Sequence, residues 1–328
     1  MQGFGEINAF LKSYVRELYK IKNFQVEKYI EIMNEIYDIG LKSYQEGCRY
    51  FQNIEGVALP TKKISMEESI FLLLSYLKTI DSSFSNCFDK AYNDGIIHFT
   101  TLEELKQVTY DETNFFRFEN LTGVINSKPF IHIVLEESIV DTFTLLHEFS
   151  HYKNGLCGEE TSISYSLFTE GYAHMFETDF YHFLLGTKWE EEAFIYYQGL
   201  LLSFLNRTVN YIREYGVFSI FLTYGRISNQ TIYRSYKDSN HTKENMQLSF
   251  DAIKNIIAKI EDPSSYFFED IPYVIGLPFS KEVRKQFLRD KDVFLEEYEN
   301  LKEQDKEYYY KKYVKTSSLE HLYQIPPK

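Results

Sequence analysis

One short run of the sequence combines residue types that can bind a catalytic metal ion and activate water. Residues 147–151 read H-E-F-S-H, which matches the pattern H-E-x-x-H. Histidines four residues apart project from the same side of a helix, so His147 and His151 can reach one zinc ion. Glu148 can take a proton from a water that the metal has made acidic. The run therefore predicts a zinc site with its own general base. The alternative is a buried helix with two hydrogen-bonded histidines.

A catalytic zinc ion needs a third protein ligand, and segment 169–177 (T-E-G-Y-A-H-M-F-E) supplies a candidate. Eighteen residues separate Glu170 from His151, which leaves room for a turn and a second helix packed on the first. Glu170, His174 and Glu177 share one face of that helix. We predict that Glu170 binds zinc. His174 or Glu177 could orient a metal ligand through a hydrogen bond, or the two could form a structural polar face.

Short strands and a capped helix are expected to position these residues. The runs 96–100 and 129–135 are rich in β-branched and aromatic residues and predict strands. A helix is expected over about 139–154, with Ser138 as its N-cap, Asp141 completing a capping box and Gly155 at its end. Further helices are predicted from Ser65 and over 162–184, 190–225, 243–261, 281–297 and 299–313, together with periodic segments near 7–18 and 29–39.

Composition narrows the class of protein. The 328 residues carry a net charge of −13, which disfavours a nucleic-acid partner. Cys48, Cys87 and Cys157 contain no C-x-x-C pair, so a disulfide framework or a cysteine zinc site is not expected. The beginning of the sequence has no signal-peptide pattern, and the apolar run 69–77 is too short to span a bilayer. We therefore expect a cytoplasmic protein without a membrane partner.

The segment 119–178 resembles the core of the oligoendopeptidase F and thimet oligopeptidase family of zinc metallopeptidases. That family has a strand, a short loop and a helix with the pattern D-x-x-T-L-x-H-E-x-x-H. The positions that match are Asp141, Thr144, Leu145, His147, Glu148 and His151. Segment 170–177 resembles the second signature of the family, which begins with the zinc-binding glutamate and ends with another. More loosely, residues 120–124 (N-L-T-G-V) resemble the small-residue stretch that precedes the strand.

The resemblance implies a mainly α fold: a zincin-like catalytic core with a small sheet beside the active-site helix, and additional N-terminal helices. We expect an N-terminal helical region over 1–94, a catalytic region over 95–300 and a helical tail over 301–328. One Zn²⁺ per chain would be held by His147, His151 and Glu170, and the substrate would be a peptide. Strand 130–135 is expected to be an edge strand that pairs with the substrate backbone.

The family also stabilises the tetrahedral intermediate with a downstream histidine and tyrosine. Here the tyrosine-rich stretch 266–276 occupies the corresponding place, so Tyr273 is the predicted oxyanion donor and Tyr266 the second choice. No histidine lies in this stretch, and Pro272 interrupts it. Packing within the core is the alternative role for both tyrosines.

The kind of activity has two alternatives. The E-G-x-A pattern also resembles zinc aminopeptidases related to leukotriene hydrolase, but their G-x-M-E-N element is absent from the sequence. The sequence therefore predicts a metalloendopeptidase with Glu148 as the general base. The alternatives are an aminopeptidase-type hydrolase and a catalytically silent zinc-binding or regulatory protein on the same scaffold.

Overall fold

The computed structural model describes residues 3–21, 25–52, 56–107, 120–125, 128–155, 163–262, 267–301 and 309–315, with single positions 317, 319, 322 and 323. The chain forms two compact units, each assembled from segments far apart in sequence. The helical unit comprises Met1–Arg49, Ser203–Ile275 and Leu319–Leu322, and the sheet unit comprises Tyr50–Leu202, Gly276–Ser318 and Tyr323–Lys328. The three regions expected from the sequence stay a prediction.

The helical unit is built around aromatic rings. It contains α1 (Phe4–Lys20), most of α2 (Val26–Phe51), the later part of α8 (Glu190–Tyr224), α9 (Asn229–Tyr236), α10 (Thr242–Glu261) and the first residues of α11 (Ile271–Arg289). The ring of Tyr14 meets Phe267 edge-on at 5.1 Å and Phe218 edge-on at 5.9 Å. Such contacts bury large apolar surfaces and explain part of the high aromatic content.

The sheet unit carries the H-E-x-x-H segment. Its elements in chain order are α3 (Met66–Ile80), α4 (Ser82–Asn93), β1 (Ile97–Thr101), α5 (Leu102–Leu105), β2 (Leu121–Ile125), β3 (Lys128–Leu135), α6 (Ile139–Lys153), α7 (Ile163–Leu184), the first part of α8, the later part of α11, α12 (Lys291–Glu299) and a π-helical turn (Tyr310–Val314). The mainly helical fold with one small sheet is confirmed. None of the helices described is long and apolar enough to cross a membrane.

The sheet has three strands in the order β1-β3-β2. β1 runs parallel to β3, with Ile97 opposite Ile131, and β2 runs antiparallel to it, with Leu121 opposite His132. β3 is paired on both sides, so the prediction that strand 130–135 is an edge strand is wrong. The cause is β2, which is only five residues long and has Gly123 at its centre, so it gives a weak strand signal although its backbone pairs with that side of β3.

The start and end of α6 are fixed by local hydrogen bonds. Ser138 is the N-cap and accepts from the N–H of Val140 at 3.2 Å. Because the hydroxyl of Ser138 bonds Val140 rather than Asp141, the helix start differs from the predicted capping box. The carboxylate of Asp141 instead accepts the N–H groups of Glu136 and Glu137 at 2.9 and 2.8 Å. Gly155 follows the helix with φ of 68°, a left-handed conformation that glycine adopts without strain. These contacts set where the histidines of α6 face.

The helix predicted over 281–297 is instead two helices. α11 begins at Ile271 and runs to Arg289, with Pro272 in its first turn, where proline is tolerated. Asp290 then caps α12 by accepting the N–H of Val293 at 3.2 Å. Of the helix predicted over 299–313, residues 302–308 lie outside the described residues.

Candidate metal centre

The two histidines of the H-E-x-x-H segment lie one turn apart on α6. Their Nε2 atoms are 3.2 Å apart, and their side chains are 16% and 13% exposed. Phe143, Leu146 and Phe149 on the same helix are buried in the core. The backbone of α6 is therefore held by packing on α7 and β3, while the two histidine side chains are only partly enclosed.

α7 brings Glu170 to the same point. Oε2 of Glu170 lies 3.4 Å from Nε2 of His147, and Oε1 lies 3.5 Å from Nε2 of His151. The glutamate is adjacent to Gly171, whose missing side chain lets α7 approach the ring of Phe279 closely. The structure thus brings together the three residues that the sequence singled out as ligands.

The three side chains fit one metal ion. Their ligand atoms all lie within 4.8 Å of one another. Donor atoms around a tetrahedral zinc ion with bonds of about 2.0–2.2 Å are roughly 3.3–3.6 Å apart, close to the separations above. In addition, Oε2 of Glu170 is buried without a hydrogen-bond partner among the described residues. Two imidazoles and one carboxylate are a donor set that zinc favours.

The electrostatics of the group favour a cation. Burial lowers the pKa of His147, but the carboxylates of Glu177 and Glu170 outweigh burial and raise that pKa well above its usual value. Burial raises the pKa of Glu170, yet His147 and His151 bring it down to about 2. Burial lowers the pKa of His151. Glu170 is therefore ionised at neutral pH, and its field attracts positive charge to the histidines.

A second polar group lies directly behind His147. Oε2 of Glu177 is 3.4 Å from Nδ1 of His147 and 2.5 Å from Nδ1 of His174, and Oε1 accepts the hydroxyl of Tyr196 at 2.6 Å. His147, His174 and Glu177 are also close enough to share an ion. The separation of 2.5 Å is a hydrogen-bond distance, shorter than that of two donors on one ion. We therefore interpret Glu177 as a carboxylate that is hydrogen-bonded to His174 and Tyr196 and orients His147 by facing its Nδ1.

Glu148 follows His147 on α6 and is 9% exposed. Its backbone carbonyl accepts a hydrogen bond of 2.8 Å from the hydroxyl of Thr122 on β2. This contact ties β2 to the turn of α6 that carries the predicted base. Its carboxylate lies near His151, where its charge opposes part of the lowering of the His151 pKa by burial.

Tyr273, the predicted oxyanion donor, belongs to the helical unit. The guanidinium of Arg207 lies over its ring at 3.8 Å, and the ring of Phe204 is 6.3 Å away. The role of Tyr273 in catalysis stays a prediction. Tyr266, the second choice, lies outside the described residues.

Among the described residues, no cysteine belongs to a group that could hold a metal ion, and no histidine other than His147, His151 and His174 does. His132 is buried on β3 and shares a hydrogen bond of 2.8 Å with Thr100 on β1, which is a structural role. His98 is exposed. Cys48 and Cys87 are free thiols, and Cys157 lies outside the described residues.

Tyr196 is the residue that the sequence did not single out. It lies on α8, far from both motifs, in a chain with 28 tyrosines. No residue pattern around it indicates a partner, because its contact with Glu177 depends on how α8 packs against α7. Only the folded structure reveals that contact.

Comparison with known proteins gives one match to a solved structure. No protein-family model matches the sequence, and no curated protein is significantly similar to it. A crystal structure of a candidate oligoendopeptidase F from Bacillus anthracis is similar over 96% of this chain, with a TM-score of 0.53 and 14% sequence identity. The match covers 57% of the Bacillus protein, so this chain spans little more than half of its length. At this level of identity the similarity establishes the fold alone.

Proposed function

We propose that this chain is a zinc-dependent peptidase that cleaves bonds within peptides. The observation that carries the proposal is the triangle of ligand atoms from His147, His151 and Glu170, with Glu148 on the same helix. A donor set of this kind beside a carboxylate is what the activation of water requires. The fold, shared with a candidate oligoendopeptidase F, supports the same class of enzyme.

A zinc ion bound here supplies Lewis-acid chemistry that makes water acidic and polarises the peptide carbonyl. Glu148 takes a proton from the attacking water as the new C–O bond forms. It then delivers that proton to the leaving amine as the C–N bond breaks. Tyr273 is the proposed donor to the developing oxyanion. The reaction consumes one water and yields a carboxylate and an amine.

The proposed binding strand for the substrate is β2 rather than β3. Within the described part of the chain, β2 pairs with β3 on one side only. The hydroxyl of Thr122 on β2 donates to the backbone carbonyl of Glu148, so β2 lies next to the turn of α6 that carries the predicted base. An extended peptide could pair with the other edge of β2 through backbone hydrogen bonds. Such pairing does not depend on the side chains of the peptide, so it accommodates many substrate sequences.

The test is hydrolysis of a quenched fluorescent peptide library whose members are blocked at both ends. Wild type is compared with Glu148→Gln and with Glu103→Gln, a control at an exposed carboxylate on α5 that pairs with Lys106. Zinc content is measured on all three. We expect about one zinc ion per chain in each and loss of cleavage only in Glu148→Gln, by at least roughly 10²-fold.

Three results would contradict the proposal. If wild type binds zinc but cleaves no peptide, the chain is a zinc-binding protein without turnover. If cleavage appears only when the library is repeated with free amino termini, the enzyme is an aminopeptidase. If His147→Ala leaves the zinc content unchanged, the metal centre itself is misplaced.

A further inference from the structure

Glu177 is the most enclosed carboxylate near the metal centre. It is 2% exposed, and both of its oxygens are engaged. Oε2 faces Nδ1 of His174 at 2.5 Å and Nδ1 of His147 at 3.4 Å, while Oε1 accepts the hydroxyl of Tyr196 at 2.6 Å. A buried carboxylate needs such donors, because an unpaired charge in the core is very costly.

The direction in which Glu177 points sets the orientation of His147. Since Nδ1 of His147 faces Glu177, its Nε2 is the nitrogen that faces Glu170. A hydrogen on Nδ1, donated to the carboxylate, leaves the lone pair of Nε2 for a metal ion. Rotation of Glu177 would therefore disturb both the tautomer and the ring position of His147.

Tyr196 holds Glu177 and also touches the helix that carries the histidines. Its ring stacks on the ring of Phe143, with centroids 4.1 Å apart and planes at 17°. Phe143 lies one turn before His147 on α6. Tyr196 thus has a fixed ring position relative to α6, and from there its hydroxyl reaches the carboxylate on α7.

We propose that Tyr196 is a positioning residue of the metal centre, which strengthens zinc binding by fixing Glu177 against His147. The inference rests on the proposed zinc site but assigns a role that neither motif contains. The variant Tyr196→Phe keeps the ring on Phe143 and removes only the hydroxyl. Loss of a partner behind a metal ligand weakens metal binding by about 10–100-fold, and we expect the lower end here, because His174 still holds the carboxylate.

Tyr197→Phe is the matched control. Tyr197 is the next residue on α8, is 1% exposed, and has its hydroxyl 3.4 Å from Oγ1 of Thr178. Its ring stacks on Tyr181 rather than on Phe143. Both variants remove one tyrosine hydroxyl from the same helix, but only Tyr196 touches Glu177. We expect the zinc dissociation constant of Tyr197→Phe to stay within roughly twofold of wild type.

The experiment measures the zinc dissociation constant of each full-length variant by competition with a chromophoric chelator, and follows unfolding by circular dichroism. Tyr196→Phe is also made in a Glu177→Gln background, where its effect on zinc binding should disappear, because the hydroxyl acts through the carboxylate. His147→Ala tests the site itself.

Three outcomes separate the possibilities. Weaker zinc binding in Tyr196→Phe alone, absent in the Glu177→Gln background, supports the inference. Equal effects of Tyr196→Phe and Tyr197→Phe, or an effect that persists beside Glu177→Gln, overturn it and leave a purely structural role. If His147→Ala still binds zinc as wild type does, the proposed metal centre fails instead.

Discussion

Gly171 offers a sharp test of the packing that places Glu170. The two residues are neighbours on α7, and a Cβ at Gly171 would lie 2.2 Å from Cδ1 of Phe279 and 3.0 Å from its Cε1. The ring of Phe279 would have to move by about an ångström or more to restore ordinary contact. Phe279 is fully buried, with the rings of Phe168 and Tyr172 both 5.2 Å away. The ring therefore has little room to move.

The expected effect of Gly171→Ala is a loss of stability. Replacing a glycine inside a helix with alanine normally raises the free energy of unfolding by about 0.5–1 kcal/mol. Overpacking of a tight core usually costs about 1–3 kcal/mol, and an approach this close belongs at the upper end. We therefore expect a net destabilisation of roughly 2 kcal/mol. Gly199→Ala on α8 is the control, because its nearest contact would be a methyl carbon of Val57 at 3.9 Å. That variant should gain stability.

Urea unfolding of the two variants, with and without zinc, measures both effects. Zinc binding of Gly171→Ala should weaken as well, since the displaced turn carries Glu170. Adding Phe279→Leu to Gly171→Ala makes room for the new methyl group, so the double variant should be more stable than the sum of the single changes by at least about 1 kcal/mol. A gain of stability in Gly171→Ala equal to that in Gly199→Ala would refute the reasoning.

Two further predictions concern a cap and a histidine. The amide oxygen of Asp141→Asn can accept only one of the two N–H groups before α6, so this variant should lower the free energy of unfolding by about 1–3 kcal/mol. Asp290→Asn is the control in the same urea titration. It should be nearly neutral, because Asp and Asn are equivalent N-caps. Burial lowers the pKa of His182 to about 4. As pH drops, His182 therefore takes up its proton at a higher pH in the unfolded chain than in the folded one. The free energy of unfolding falls as pH drops from about 6.5 towards 4. The fall between about pH 7.5 and 5 should be smaller in His182→Gln than in wild type or the exposed-site control His98→Gln.

The elements around the metal centre were predictable because their signals are local. Ser138 and Gly155 mark the two ends of α6, and the observed ends lie within a residue or two of the predicted ones. The periodicity of the sequence also predicts α7 and the first strand. The spacing of four residues between the histidines determines that they share a face. The convergence of Glu170 on that face follows from the length of the intervening segment and the resemblance of segment 170–177 to a known signature.

Features that depend on packing between distant segments were not predictable. β2 contains Gly123, a poor strand former, but a Cβ there would lie only 3.0 Å from the ring of Phe130 across the sheet. The glycine therefore marks a close cross-strand contact rather than a loop. The contact of Tyr196 with Glu177 likewise depends on tertiary packing, which periodicity does not show. The start of α9 and the break at Asp290 are instead set by local caps, which periodicity alone does not detect.

The carboxylates of Glu170 and Glu177 lie between α6 and α7, where histidines and the hydroxyl of Tyr196 face them. Glu170 and Glu177 place two carboxylates beside His147, and the pKa of that histidine rises because a proton on it balances part of their charge. Such a proton can neutralise only one of the two charges, and burial makes any remainder costly. A divalent cation at Nε2 would balance both carboxylates while His147 stays neutral and keeps its Nδ1 hydrogen for Glu177. The field that favours protonated His147 is therefore the field that would select a doubly charged ion at the same nitrogen.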